Sequence, residues 1–305
     1  MSLEIAIMLE GQHGLTWPRW QRMVRAVEDL GFVGLYRSDH FTNAEAPDLD
    51  SLELWTSFTW LASHTSRIEF GPMVSPISFR HPVFTARIAK DIDDLSGGRL
   101  TLGVGAGWQV REHTNFGFDL LEIPQRFARF EEGLEVITRL LGSDTPVDFS
   151  GDYYHLQDAI LLPRPQRPAG PPLLIGGNGE KRTLPLVARY ANEWNGVFLP
   201  AGRYRELSQQ LDGLLQAAGR QPSSVRRSLM TRVIFGRTDS EVQAQLGETK
   251  QSAEALRSRG LVVGTASAVV DQLGTIGEAG AQRVMLQWMD LDDLDGLAAL
   301  AAAVL

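Results

Sequence analysis

Leu102-Gly103-Val104-Gly105-Ala106-Gly107-Trp108 follows a tight Ser96-Gly97-Gly98-Arg99 turn and decides how the chain is read. Three glycines in five residues weaken a strand, so a strand that carries them needs them for close approach. Bare backbone without Cβ atoms can lie against a flat ligand. The same run could also serve as a turn or a close-packing point, and its meaning depends on the segments around it.

Those segments alternate in type throughout the chain. Ile5–Leu9, Val33–Tyr36, Ile68–Val74 and Leu100–Val104 read as short apolar strands. Between them lie a helix begun by Thr16-Trp17-Pro18 and stopped at Gly31, a helix over 51–63 and a helix over 83–95. A helix over 126–141 opens the second half, and alternation around Ser150-Gly151-Asp152 predicts an inserted β-hairpin over 148–161. Strands at 173–175, 194–198, 229–235 and 283–288 then interleave with helices at 180–191, 202–218, 239–258 and 267–279. A helix from Asp292 to Leu305 follows the last strand. About eight βα units without a sustained linker predict a single (β/α)8 TIM-barrel domain over 1–305.

Composition narrows the function. With 305 residues the chain can bury a large core, and its formal charge of -8 is spread without a basic stripe, which argues against nucleic acid. No apolar run approaches the roughly 20 residues of a membrane span, and MSLEIAIMLE lacks the pattern of a secretory signal. These features predict a soluble, cytoplasmic protein. Cysteine is absent, which removes disulfides and thiol chemistry, and six scattered His residues have no metal-ligand spacing.

In a barrel, reactive groups sit after the C-terminal strand ends. Asp39-His40, Val74-Ser75-Pro76, Gly105-Ala106-Gly107-Trp108 and Gly176-Gly177-Asn178-Gly179 all fall there. His40 is the candidate proton donor, because its side chain titrates near neutrality. A loop hydrogen-bonding role is the plainer alternative. The GGNG run leads into a helix near Glu180-Lys181-Arg182, where free N–H groups favour anions, although for such a run alone a tight strand-to-helix turn is the preferred reading. It matches neither a Walker loop nor a dinucleotide fingerprint. Glu112 and His113 are a second possible acid/base pair or a solvated turn, and Phe79-Arg80-His81-Pro82 reads as packing and capping. Trp108, Trp194, Phe198, Gln287 and Trp288 could wall an apolar pocket.

Four ordered blocks carry a family resemblance: DLGFVGLYRSDHF (29–41), IEFGPMVSPISFRHP (68–82), DLSGGRLTLGVGAGWQVREHTNFGF (94–118) and LLIGGNGEKRTLPLVARYANEWN (173–195). Together the chain resembles the bacterial luciferase-like monooxygenases, and within them the oxidoreductases that use the deazaflavin coenzyme F420. The resemblance implies a (β/α)8 barrel with a flavin-like ring in its mouth, and a homodimer built from helices of the first half. It would place Asp39 and His40 at the ring, with Met73, Val74 and Ser75 as a bulge behind it, commonly built on a non-proline cis peptide. Gly105, Ala106, Gly107 and Trp108 would run along the cofactor, and Gly176, Gly177, Asn178 and Gly179 would receive its phosphate. His40 would be catalytic and no metal is implied.

One departure stands out. The family's sugar-phosphate dehydrogenases carry a glutamate after the glycine pair, where this chain has Trp108, and Glu112 comes later. That argues against a sugar phosphate and for a small organic substrate in a more apolar pocket. An enzyme using FMN and oxygen is the leading alternative. A cofactor-binding protein without turnover is the alternative of another class. A barrel glycosidase would need two facing carboxylates, and no strand-end pair suggests one.

Overall fold

The computed structural model describes residues 3–305; Met1 and Ser2, the start of the N-terminal segment read above, lie outside them. Its strands in chain order are β1 (Glu4–Leu9), β2 (Gly34–Arg37), β3 (Glu69–Pro72), β4 (Ser75–Pro76), β5 (Leu102–Gly105) and β6 (Val147–Ser150). They continue as β7 (His155–Ala159), β8 (Leu173–Gly176), β9 (Glu193–Val197), β10 (Arg226–Phe235), β11 (Val262–Gly264) and β12 (Arg283–Gln287). All the barrel pairings are parallel, in the order β3-β2-β1-β12-β10-β9-β8-β5-β4.

The ends of that series meet. The Phe70 N–H donates to the Arg99 carbonyl at 3.1 Å, and the Thr101 N–H donates to the Phe70 carbonyl at 2.8 Å. β3 and β4 are one strand broken at the Met73–Val74 peptide, which is cis. Eight strand positions therefore close a barrel, as expected. The hairpin near 148–161 is also present as the antiparallel pair β6–β7.

Two of the glycines quoted at the outset, Gly103 and Gly105, serve as close-packing points, one of the roles their run allows. A Cβ on Gly103 would stand 2.0 Å from the Pro72 carbonyl oxygen, and one on Gly71 would stand 2.0 Å from that of Thr101. These positions let β3 and β5 approach closely where the barrel closes. A Cβ on Gly105 would meet Val74 at 2.6 Å, so Gly105 accommodates the bulge.

The helices bury their apolar faces against the outside of the barrel. The first, Trp17–Leu30, buries Trp20, Met23, Val24 and Val27, and Gly31 ends it in the left-handed region at φ 99°. Inside the barrel, Ala6, Met8, Tyr36, Leu174, Met230 and Met285 form a separate methionine-rich cluster.

Several elements differ from the sequence reading. The stretch 239–258 is two helices, Asp239–Thr249 and Ala253–Ser258, because Lys250 turns left-handed at φ 55°. β11 was not foreseen; it pairs with the C-terminal half of β10 and covers Ile234, Val242 and Leu246 with Val263. The helix expected from 180 begins at Thr183, which leaves 177–182 as loop. Among the described residues no helix is long and apolar enough to cross a membrane.

Candidate active site

A cavity of about 370 Å³ opens at the C-terminal strand ends. Its walls are mostly apolar, with Met8, Met73, Val74, Val197 and Met230 contributing, and Trp108 and Phe198 stand on it as well. The polar lining groups are Glu10, Ser38, His40, Glu112 and Asn195, and among the described residues no Lys or Arg lines it.

His40 and Glu112 pair on its wall. His40 Nδ1 lies 2.8 Å from Glu112 Oε1, and the Phe41 N–H donates to Glu112 Oε2 at 3.1 Å. The glutamate side chain is 1% exposed and the imidazole 16%. Burial alone would push the His40 pKa down. The hydrogen bond to Glu112 and the charges of Glu112, Glu10 and Asp39 outweigh it and hold the pKa above the ordinary value. With Nδ1 engaged, Nε2 is the nitrogen left for a ligand.

Aromatic packing sets this geometry. Phe41 packs on Phe79, Phe116 and Phe118 at centroid distances of 5.1, 4.9 and 5.4 Å. That cluster fixes both the loop after β2 and the helix Val110–Phe116 that carries Glu112. Trp108 meets the His40 ring edge-on at 5.5 Å and is itself 62% exposed, so it forms a rim and leaves the cavity open.

The candidates separate into two groups. His40, Met73, Val74, Gly107, Trp108, Gly176 and Gly177 come together around the cavity. Asp39, Ser75, Gly105, Ala106, Asn178 and Gly179 do not line it. Asp39 points behind the wall, accepting from Ser75 Oγ at 2.7 Å and from Arg80 Nη1 at 2.5 Å. Burial raises the Asp39 pKa, with Arg80 and Ser75 opposing. Asn178 clamps two loops: its Nδ2 donates to the Val197 carbonyl at 2.8 Å and its Oδ1 accepts the Val197 N–H at 2.9 Å.

Gly179 lies with Glu180, Lys181, Arg182, Thr183 and Phe127 on an adjoining recess of about 400 Å³. Gly177 holds φ +125° and Gly107 φ +88°, conformations that exclude most side chains.

Two expectations about neighbours are resolved by burial. Glu112 and His113 are both buried, so neither belongs to a solvated turn. His113 is structural: its Nδ1–H donates to the Gln109 carbonyl at 2.7 Å, and its Nε2 accepts from Ser78 Oγ at 2.8 Å. His81 caps the helix Pro82–Leu95 by accepting the Val83 N–H, as its sequence position suggested. Met8, Glu10, Asn195 and Met230 were missed. Asn195 carried a signal, being the amide in the middle of the strand EWNGV.

Another cavity, of about 400 Å³, opens among N-terminal strand ends and is lined by Glu69, Arg99, Arg167, Glu193 and Arg226. Arg283 there pairs with Glu4 at 2.7 Å and Glu69 at 2.8 Å. In barrels that end serves stability, so this network is read as structural.

Comparison with known proteins agrees with the fold. The sequence model of a family described as luciferase-like monooxygenase matches residues 3–302. An F420-dependent glucose-6-phosphate dehydrogenase of Amycolatopsis mediterranei is 34% identical over 194 residues, 60% of this chain and 53% of that protein. A 4-hydroxyprotoasukamycin monooxygenase of Streptomyces nodosus is 33% identical over 177 residues, 58% of this chain and 46% of that protein. The chain thus spans about half the length of these curated relatives. Among solved structures, an F420-dependent secondary alcohol dehydrogenase superposes with a TM-score of 0.87 at 20% identity, covering 100% of both chains. At that identity the likeness is one of fold.

Proposed function

The chain belongs to the luciferase-like monooxygenase family, and from that membership we propose an oxidoreductase that moves a hydride between coenzyme F420 and a small, uncharged organic substrate. The observation that carries the reading is the buried His40–Glu112 pair facing an open, apolar cavity. The F420-dependent relatives support the choice of cofactor.

The residues present fit such a group. A cavity of about 370 Å³ falls within the range of about 300–1,000 Å³ usual for ligand sites. Met73, Val74 and Met230 offer apolar faces to a planar ring, and Gly107, Gly176 and Gly177 offer backbone without side chains. The loop Gly177–Arg182 and the helix begun at Thr183 suit the anionic tail, with Lys181 and Arg182 nearby. Bound there, the reduced deazaflavin supplies a hydride. His40 holds the accompanying proton at Nε2, and Glu112 orients the ring and favours its protonated form. Trp108 and Phe198 narrow the mouth against water. Asp39, Ser75 and Arg80 brace the wall behind Met73–Val74.

The absence of Lys or Arg from the lining favours an alcohol–carbonyl pair or another neutral substrate over a sugar phosphate. An FMN-dependent monooxygenase is the second reading, favoured by the Streptomyces relative. Binding without turnover fits poorly with a proton-carrying pair aimed into the cavity. A cytoplasmic homodimer completes the proposal; Phe84 (61% exposed) and Leu95 (53%) on the helix Pro82–Leu95 are the apolar surface it would cover.

The test is anaerobic incubation with F420 and a panel of secondary alcohols, or with reduced F420 and ketones, following cofactor absorbance. Turnover that His40→Asn abolishes is expected. Turnover only with reduced FMN and oxygen would favour the second reading.

A further inference from the structure

We propose that Asn195 reads the cofactor: its Oδ1 accepts a hydrogen bond from an N–H or O–H on the ring edge that enters deepest into the barrel. The inference rests on the reading of this cavity as a ring-binding pocket.

Asn195 is the middle residue of β9 and is fully buried, yet it belongs to the cavity lining. Around it are Met8, Met230 and Met285, so its amide is a polar group in an apolar floor. Its Nδ2 donates to Ser228 Oγ at 3.0 Å and lies 3.2 Å from Met285 Sδ. Ser228 Oγ also lies 3.3 Å from the Trp194 carbonyl, to which its hydroxyl can donate while its oxygen accepts from Asn195.

The other end of the amide, Oδ1, is buried and has no hydrogen-bond partner among the described residues. Buried acceptors are nearly always paired, and leaving one unpaired destabilises the fold. An apolar residue would fill the floor without that penalty. A ligand donor resolves the conflict, and a planar heterocycle sliding between Val74 and Met230 would present its edge there. Coenzyme F420 has two such donors, the imide N–H and the phenolic hydroxyl of the far ring, whereas 5-deaza-FMN has only the imide. A flavin has only the imide.

Asn195→Leu keeps the branched side-chain shape, at somewhat larger volume, and removes the acceptor. Native protein and N195L are titrated with F420, FMN and 5-deaza-FMN by ligand fluorescence, and the thermal midpoint of each unliganded protein is measured. We expect N195L to bind F420 about tenfold more weakly, with a thermal midpoint equal to or above the native one. A purely structural amide would instead lower the midpoint and leave affinity alone, which overturns the proposal.

An equal loss for 5-deaza-FMN assigns the donor to the imide, and a loss confined to F420 assigns it to the phenol. Native protein that binds FMN but not F420 refutes the cofactor reading, while the FMN titration of N195L still tests the acceptor. Native protein that binds no ring refutes both. Should N195L fail to fold, Asn195→Ala is titrated in its place with the same expectations.

Discussion

Glu112→Gln preserves side-chain shape and removes one charge, so it isolates what the carboxylate does for His40. The pair sits 2.8 Å apart with side-chain exposures of 16% and 1%, which leaves little room for solvent screening. Two unit charges about 4 Å apart attract by about 4 kcal/mol at an effective dielectric near 20, an upper bound before desolvation. A hydrogen bond to a charged group nets about 1.5–3 kcal/mol. The smaller range applies here, because the amide keeps one hydrogen bond. It corresponds to a loss of about 10- to 150-fold in kcat/KM when protonated His40 is required.

The pH dependence carries a sign. Burial lowers the His40 pKa and Glu112 reverses that effect. In E112Q the burial effect is left less opposed, so the pKa falls and activity that needs the imidazolium is lost at lower pH than in the native enzyme. Because the native folded pKa is raised, the pair stabilises the fold fully below the unfolded pKa near 6.5. That stabilisation disappears as pH rises through the folded value. The destabilisation by E112Q is therefore larger at pH 5.5 than at pH 9, in buffers chosen on either side of about 6.5. The assay is kcat/KM against pH for both proteins, with imidazole nitrogen shifts reporting His40 directly. An unmoved pH profile together with a rate within twofold of native would refute the assigned role.

Three further outcomes follow from packing. Gly103→Ala drives a Cβ to 2.0 Å from the Pro72 carbonyl oxygen, a backbone atom that cannot rotate away. Overpacking of this kind costs about 1–3 kcal/mol or more, and a thermal melt should show it. Gly213→Ala, in the helix Ala201–Ala217 with open space around the new Cβ, should raise stability by about 0.5–1 kcal/mol in the same melt. Arg80→Ala removes the cation 2.5 Å from buried Asp39 and should cost about 3–5 kcal/mol in denaturant unfolding. Asp39 then protonates more readily, so this loss should shrink as pH falls toward the raised carboxyl pKa.

The barrel was legible because its signal is repetitive: short apolar strands, amphipathic helices and turn residues recur with one period. What the sequence hid was geometric. GVGAG announces close approach but not its partner, and Gly103 turned out to meet Pro72 and Gly105 to meet Val74. Asp39 and His40 are adjacent in sequence, yet one faces Arg80 behind the wall and the other faces the cavity. Glu112 reads as one turn residue among several until the Phe41, Phe79 and Phe118 cluster brings its helix against the loop after β2. Lys250 leaves no clear mark of the helix break it makes, since the left-handed C-terminal position it takes at φ 55° usually belongs to glycine or asparagine.

The most direct test of deazaflavin chemistry is equilibrium titration of the native protein with F420 and with FMN, followed by ligand fluorescence under the same conditions. Tight F420 binding, with FMN weaker by tenfold or more, is the predicted result. FMN binding as tight as F420, or tighter, would contradict the account and move the enzyme to the oxygen-using branch of the family.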